Sequence, residues 1–248
     1  LRRIEINCDL GESTTKAGME RDKSLMTYIG RCNICCGFHA SDAYTIDHTI
    51  REAVRHGLRI GAHPSFKDRQ NFGRAIMHQN ISELMADISY QVGALKSMTE
   101  RRKARLQHVK PHGALYHLLG NDRNYAEAFI ELIDEIDPEL AILGMPGSQL
   151  EKICLEQGKK FIREAFADRH YDSLNQLRSR SKPDAIIRSD NEMNKRLKDI
   201  MNGKVTDYSG TTHSCEIDSI CIHSDTPEAV DMARTIFNYL NTSDVELY

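Results

Sequence analysis

The chain has 248 residues, 40% of them hydrophobic, which is enough for one large core, and α/β barrels of this length occur as one domain, so a single domain over 1–248 is the first expectation. Its 33 Lys and Arg against 36 Asp and Glu give a formal net charge of -3 without a long basic run, which argues against a nucleic-acid partner. No apolar run approaches the roughly eighteen residues of a membrane span and no charged-then-apolar leader opens the chain, so no membrane partner and a cytoplasmic location are expected.

Short β-like runs alternate with amphipathic helical ones, the pattern of right-handed βαβ units around a parallel sheet. A first strand is predicted near 3–8, ending in Asn7-Cys8-Asp9, and a second near 32–36, ending in Gly37-Phe38-His39. A helix follows at 43–56, with Ile46, Ile50, Ala53 and Val54 on one face, then a third strand near 58–62 running into His63-Pro64. The next helix, 81–100, carries Leu84, Ile88, Val92 and Leu95 at the same spacing and leads to a strand near 107–110 that ends in Lys110-Pro111-His112. Helices at 124–136 and 148–157 flank a strand near 140–144, a sixth strand is placed near 160–165, and a helix at 190–202 precedes the last strand near 219–223 and a final helix at 226–240. Ser41 and Asp42 suit an N-cap, Gly57 a C-terminal stop, and Thr226-Pro227 a cap with Pro in the first turn. The basic stretch from Arg178 to Pro183 reads as a surface excursion or lid. The chain begins at Leu1 instead of Met, as a trimmed or incomplete N-terminus would.

Five of these apolar runs end abruptly in acids or histidines. That cadence is expected of a barrel whose active site is assembled from loops at the C-terminal ends of its strands. Asp9 at the end of the first strand is a candidate acid or base, with Asn7 one pleat period before it on the same face; Glu12 serves chemistry or the following Gly11 turn. His39, His63, His112 and His223 follow four different strands, and a shared pocket would make them acid–base groups or metal ligands. A divalent metal stays open, since imidazole and carboxylate suit one, but no compact ligand motif such as His-Glu-x-x-His is present. Arg74, after Asn71-Phe72-Gly73, offers a planar fork to carboxylate or phosphate, or an ordinary salt bridge. Lys110 in an apolar run must snorkel or face a polar barrel end, where it would suit a phosphate or oxyanion. Glu164, Asp168 and Arg169 repeat the pattern after the sixth strand.

No Gly-rich phosphate loop, dinucleotide fingerprint or Gly-x-Ser-x-Gly elbow occurs. The seven cysteines are an odd number and several fall in apparent strands, so they are expected as buried free thiols, Cys32-x-x-Cys35 included.

Taken together, Asn7-Cys8-Asp9-Leu10-Gly11-Glu12, the run from Asn33 to Asp42, Ile60-Gly61-Ala62-His63-Pro64, Phe72-Gly73-Arg74, the run from His108 to Tyr116 and the run from Glu164 to Arg169 resemble the LamB/YcsF family, the A subunits of bacterial ATP-dependent 5-oxoprolinase. The resemblance covers nearly the whole chain in order. It implies a seven-stranded β/α barrel of the glycoside hydrolase/deacetylase type, hydrolysis of the lactam 5-oxoproline to L-glutamate with ATP as cosubstrate, and B and C partner subunits, one of which would be the place for ATP. Ile222-His223-Ser224-Asp225 departs from the family, which has Gly between His and Asp, and Arg178 to Lys182 matches only loosely. On this reading Asp9 and one of His39, His63 and His112 act as base and acid, while Arg74 and Lys110 hold phosphate or carboxylate. Asn7, Glu12, Glu164 and Arg169 are the further substrate-side candidates. Two other readings stay open: a metal-dependent deacetylase or other C–N hydrolase, and a noncatalytic subunit that binds a small carboxylate.

Overall fold

The computed structural model describes residues 2–180, 182–226, 228–242 and 245–246. Seven parallel strands close into a barrel: β1 (Glu5–Leu10), β2 (Arg31–Cys35), β3 (Arg59–His63), β4 (Leu106–Val109), β5 (Ala141–Gly144), β6 (Phe161–Phe166) and β7 (Ser219–His223). They follow one another around the barrel in chain order, and β7 closes it by pairing with both β6 and β1. Each lies within two residues of its predicted position.

Eight helices surround the barrel among the described residues: α1 (Lys16–Leu25), α2 (Ala43–Arg55), α3 (Ile81–Arg101), α4 (Gly113–Asn121), α5 (Arg123–Ile136), α6 (Gln149–Glu156), α7 (Asp190–Met201) and α8 (Ala229–Asn241). Asp42 caps α2 by accepting the Thr45 N–H at 2.8 Å, and Gly57 ends that helix with φ +69°. Ser41 is a turn residue with φ +72° and does not share the cap. The expected Thr226-Pro227 start of the last helix is corrected: α8 begins at Ala229 after Glu228, Thr226 contributes its carbonyl to the Ala229 N–H, and Pro227 lies outside the described residues. Two short antiparallel hairpins, Tyr171–Ser173 with Gln176–Leu177 and Lys204–Thr206 with Thr212–Ser214, decorate the segment between β6 and β7. All seven cysteines are free, six of them buried. Among the described residues no helix is long and apolar enough to cross a membrane.

The barrel interior is a hydrogen-bonded polar column and departs from the aliphatic layers common in such barrels. At its lower end Glu5 receives Arg31 Nε at 2.5 Å and Arg59 Nη1 at 2.5 Å. Arg31 Nη1 donates to His108 Nδ1 at 2.9 Å, which leaves the ring hydrogen on Nε2 to reach Asn33 Oδ1 at 2.7 Å. Asn33 spends its two amide hydrogens on Asn7 Oδ1 and Asp9 Oδ1, both at 2.8 Å. The column therefore runs from Glu5 to Asp9 with its members satisfied, as burial requires.

Gly61 makes room for it. A Cβ at this position would lie 2.0 Å from His108 Nε2, the atom that bonds Asn33. Gly61→Ala is thus expected to destabilise the chain by about 1–3 kcal/mol or more by displacing the ring from the column. An unchanged denaturant midpoint for that variant would show that the column tolerates the displacement.

Candidate active site

The chain turns sharply after β1 because Gly11 adopts φ +74°, and its N–H is held at 2.8 Å by Asp22 Oδ2 from α1. The carboxylate that fixes this turn is therefore Asp22, leaving Asp9 and Glu12 free to face the barrel mouth. Burial pushes the Asp22 carboxyl up to about 7 from an ordinary 3.8. A raised folded-state value favours the neutral acid, so this contribution to stability is complete below the ordinary value and is lost as pH rises through about 7. Asp22→Asn keeps an acceptor for Gly11 without the charge. Its melting temperature relative to the parent chain is expected to climb across that window and level off above it, a gain on the order of a few kcal/mol. A difference independent of pH would contradict the assignment.

Asp9 and Lys110 form the centre of the mouth. Lys110 Nζ, fully buried, lies 3.0 Å from Asp9 Oδ1, 3.0 Å from Glu164 Oε2, 3.3 Å from Asn7 Oδ1 and 3.1 Å from Cys221 Sγ. Three N–H donors face four acceptors. Lys110 also lines the cavity, but its hydrogens are taken up by groups of the barrel, so holding a phosphate or oxyanion would mean exchanging one of these partners. Burial alone would lift the Asp9 carboxyl, but the charges of His63 and Lys110 outweigh it and hold Asp9 well below the usual carboxylate range. Asn7 and Glu164 sit beneath this pair; Asn7 Nδ2 bonds Ser219 Oγ at 2.8 Å and Glu164 Oε2 at 3.3 Å.

Beside Asp9 three of the four predicted histidines converge, while His223 bonds Asp168. Arg69 fastens the loop that carries His39 by donating to the carbonyls of Gly37 and Ser41 at 2.6 and 2.9 Å. The His39 and His112 rings stack with centroids 3.8 Å apart, and His63 stands edge-on to both. Two backbone carbonyls set the tautomers: His63 Nδ1–H donates to Lys110 O at 2.7 Å and His112 Nε2–H to Phe72 O at 2.8 Å. His63 Nε2 then faces His112 Nδ1 at 3.0 Å and Asp9 Oδ2 at 3.3 Å. Burial opposes charge on His63, yet the Asp9 carboxylate beside it raises its pKa, whereas burial with neighbouring positive rings leaves His39 and His112 neutral, well below the usual histidine range. Glu12 Oε1 closes the cluster, 2.9 Å from His39 Nε2 and 3.5 Å from His112 Nδ1, and burial raises its pKa. The site thus holds two carboxyl groups driven in opposite directions, a common arrangement for dividing acid and base roles.

Glu12, His63 and His112 also present donor atoms within 4.8 Å of one another, and Asp9, Cys221 and His223 do the same. In the first group the far ring nitrogens are anchored on carbonyls, the support that metal-binding imidazoles commonly have, so these residues fit a divalent ion. In the second, Cys221 Sγ already accepts from Lys110 Nζ at 3.1 Å, while the His223 ring is held through Nδ1 by Asp168 Oδ2 at 2.6 Å.

A cavity of about 520 Å³ opens above Asp9, Glu12, His63 and His112. Its outer wall is formed by Arg74, Arg169 and the stretch from Gln176 to Arg180, so the basic segment expected as an excursion or lid does border the mouth; its Ser181 lies outside the described residues. Arg74 and Arg180 both donate to Asp225 Oδ2, at 2.9 and 2.6 Å. Arg169 is buried and donates to the carbonyls of Arg178 at 2.6 Å and Ala185 at 3.3 Å. Asn33, Tyr116, Arg180 and Asp225 were not singled out by sequence. Asn33 alone carried a local signal, as an amide one pleat period from Arg31; Tyr116 lies buried on α4, and Arg180 and Asp225 meet only where the loops after β6 and β7 cross.

The LamB/YcsF family model matches residues 4–248. The chain is 39% identical over 246 residues to a 5-oxoprolinase A subunit of Clostridium beijerinckii, covering 99% of this chain and 96% of that one. It is 38% identical over 248 residues to the 5-oxoprolinase A subunit numbered 3 of Pseudomonas syringae pv. tomato, covering 100% and 97%. Among solved structures, the lactam utilization protein of Thermus thermophilus superposes with a TM-score of 0.89 at 34% identity, covering 99% of this chain and 98% of that one.

Proposed function

The chain belongs to the LamB/YcsF family, and from that premise we propose that it is the A subunit of an ATP-dependent 5-oxoprolinase, opening 5-oxoproline to L-glutamate together with B and C subunits. The observation that carries the reading is the charged Asp9–His63 pair at the floor of a cavity large enough for a five-membered ring, with Glu12, its pKa raised by burial, 3.5 Å from His112 Nδ1. The names of the relatives, 5-oxoprolinase A subunits and a lactam utilization protein, support the same substrate class.

A lactam is a resonance-stabilised amide, and its carbonyl carbon accepts water readily only after the oxygen is activated, for which phosphorylation serves. The sequence has no phosphate-binding loop, so we assign that activation to the partner subunits and the hydrolytic step to this barrel. Asp9, ionised at working pH, aligns a water against the carbonyl carbon and receives its proton as the C–O bond forms. His63, carrying a proton on Nε2, delivers it to the ring nitrogen as the C–N bond breaks, so the nitrogen leaves as an amine and the carbon is left as an acyl phosphate, which a second water hydrolyses to L-glutamate and phosphate. The proton that Asp9 takes from the water returns to His63 Nε2, 3.3 Å from Asp9 Oδ2, which resets both groups. Lys110 keeps both Asp9 and Glu164 compatible with burial, and Asn33 fixes the Asp9 rotamer.

Glutamate and phosphate release from 5-oxoproline plus ATP tests the reading, measured for the chain alone and with B and C subunits. Glutamate is expected only in the mixture; none from folded protein with competent partners would remove the substrate assignment.

The anchored Glu12, His63 and His112 set favours one second reading, a metal-dependent C–N hydrolase. A divalent ion there would supply Lewis-acid polarisation of a carbonyl. Stoichiometric metal in the purified chain, with activity lost on chelation and regained on readdition, would select it; metal-free protein with full activity would discard it.

A further inference from the structure

The cavity gathers its arginines at the mouth. Asp9 and Glu12 lie at its floor, while three guanidinium groups from two loops, Arg74 after β3 and Arg169 and Arg180 after β6, meet at its mouth. One carboxylate, Asp225 from the loop after β7, is shared by two of them through a single oxygen. Among the described residues Arg169 makes no hydrogen bond to a carboxylate. Its Nε and one terminal nitrogen are held by backbone carbonyls, and Asp168 beside it in sequence turns its bonded oxygen to His223. A guanidinium 5% exposed, bonded to neutral carbonyls and close to two like charges, is compensated in part by the nearby Asp168 carboxylate, and a further anion would complete that compensation. Burial and the neighbouring Arg180 charge lower its pKa to about 10, in keeping with that crowding.

Resting on the 5-oxoprolinase reading, we propose that Arg169 and Arg180 form the recognition site for the substrate's carboxylate, that Asp225 is a built-in competitor which this carboxylate displaces from Arg180, and that the site selects carboxylated lactams over neutral ones. The placement sets the direction of binding. With its carboxylate at the mouth, the ring of a small carboxylated lactam points down toward Asp9 and His63. A lactam lacking the carboxylate has nothing to exchange for the Asp225 ion pairs and gains no such orientation. The planar fork of arginine suits this exchange, since one carboxylate replaces another on the same donors.

The test compares 5-oxoproline, the neutral lactam 2-pyrrolidinone and inorganic phosphate as titrants of the full chain and of its Asp225→Asn and Arg180→Gln variants, each checked for native circular dichroism. Asp225→Asn is expected to tighten 5-oxoproline and phosphate by about ten-fold, and Arg180→Gln to weaken both by about ten-fold or more, with 2-pyrrolidinone unmoved by either. Should Arg180→Gln not fold, Arg180→Lys carries the same prediction with a smaller loss. Equal shifts for charged and neutral lactams, or no shift for either anion, would overturn the inference even if 5-oxoproline were turned over normally. Phosphate that responds to both variants, with 5-oxoproline neither bound nor turned over, would uphold the anion site and remove the 5-oxoprolinase reading instead.

Discussion

Asp9→Asn is expected to lower glutamate formation by the assembled enzyme by roughly 10²–10⁴-fold while leaving the chain folded. Asparagine fits the same space and still offers an oxygen to Asn33 and Lys110, so the polar column retains its bonds. What disappears is the charge that makes Asp9 a base and that raises the pKa of His63. Without it the imidazole, opposed by burial and by Lys110, loses its proton, and the site lacks base and acid together. The measurement is kcat with far-ultraviolet circular dichroism on the same preparation. Retained turnover would take Asp9 out of the mechanism.

Lys110→Met is expected to cost about 3–5 kcal/mol of stability, the usual consequence of stripping one partner from a buried charge cluster. The methionine fills the volume, but Asp9 and Glu164 are then left without their shared cation, and Asn7 and Cys221 lose a donor. Asp9, held low in the parent chain by His63 and Lys110 against its burial, would respond by rising in pKa. A raised folded value yields stability at low pH that is lost as pH increases, so the deficit should be smallest near pH ~4 and widen toward pH ~8. Urea unfolding at several pH values reads both features. Adding Glu164→Gln to the Lys110→Met variant should recover part of the loss, since one unpaired carboxylate is removed; a deficit flat in pH would mean that packing alone was disturbed.

The strands were legible because each is a compact apolar run with its polar ending at the barrel mouth, and helices α2, α3 and α5 because their buried residues recur at helical spacing. Helix α1 was not, since it is polar nearly throughout and buries only Gly18, Asp22 and Leu25. Helix α4 failed for the opposite reason: Gly113-Ala-Leu-Tyr116 runs apolar around the helix, which packs against α5 and α6, so no single face stood out. At the site, Asp9, His39, His63 and His112 were readable as strand-end residues and do meet. Lys110 was readable as unusual, but its engagement within the barrel was not, because its partners Asp9, Glu164 and Cys221 come from three other strands. The Arg180–Asp225–Arg74 junction had no sequence signal at all. It exists only where the loops after β3, β6 and β7 cross the mouth.

The central claim is that this barrel performs the hydrolytic step on a lactam that its partners activate. Its most direct test is to follow ADP and glutamate together in single-turnover reactions of the assembled enzyme with the parent chain and with Asp9→Asn. ADP and glutamate are expected to appear in step with the parent chain, whereas the Asp9→Asn assembly still releases ADP while glutamate stays near background. Glutamate formed at the parental rate by the Asp9→Asn assembly would contradict it.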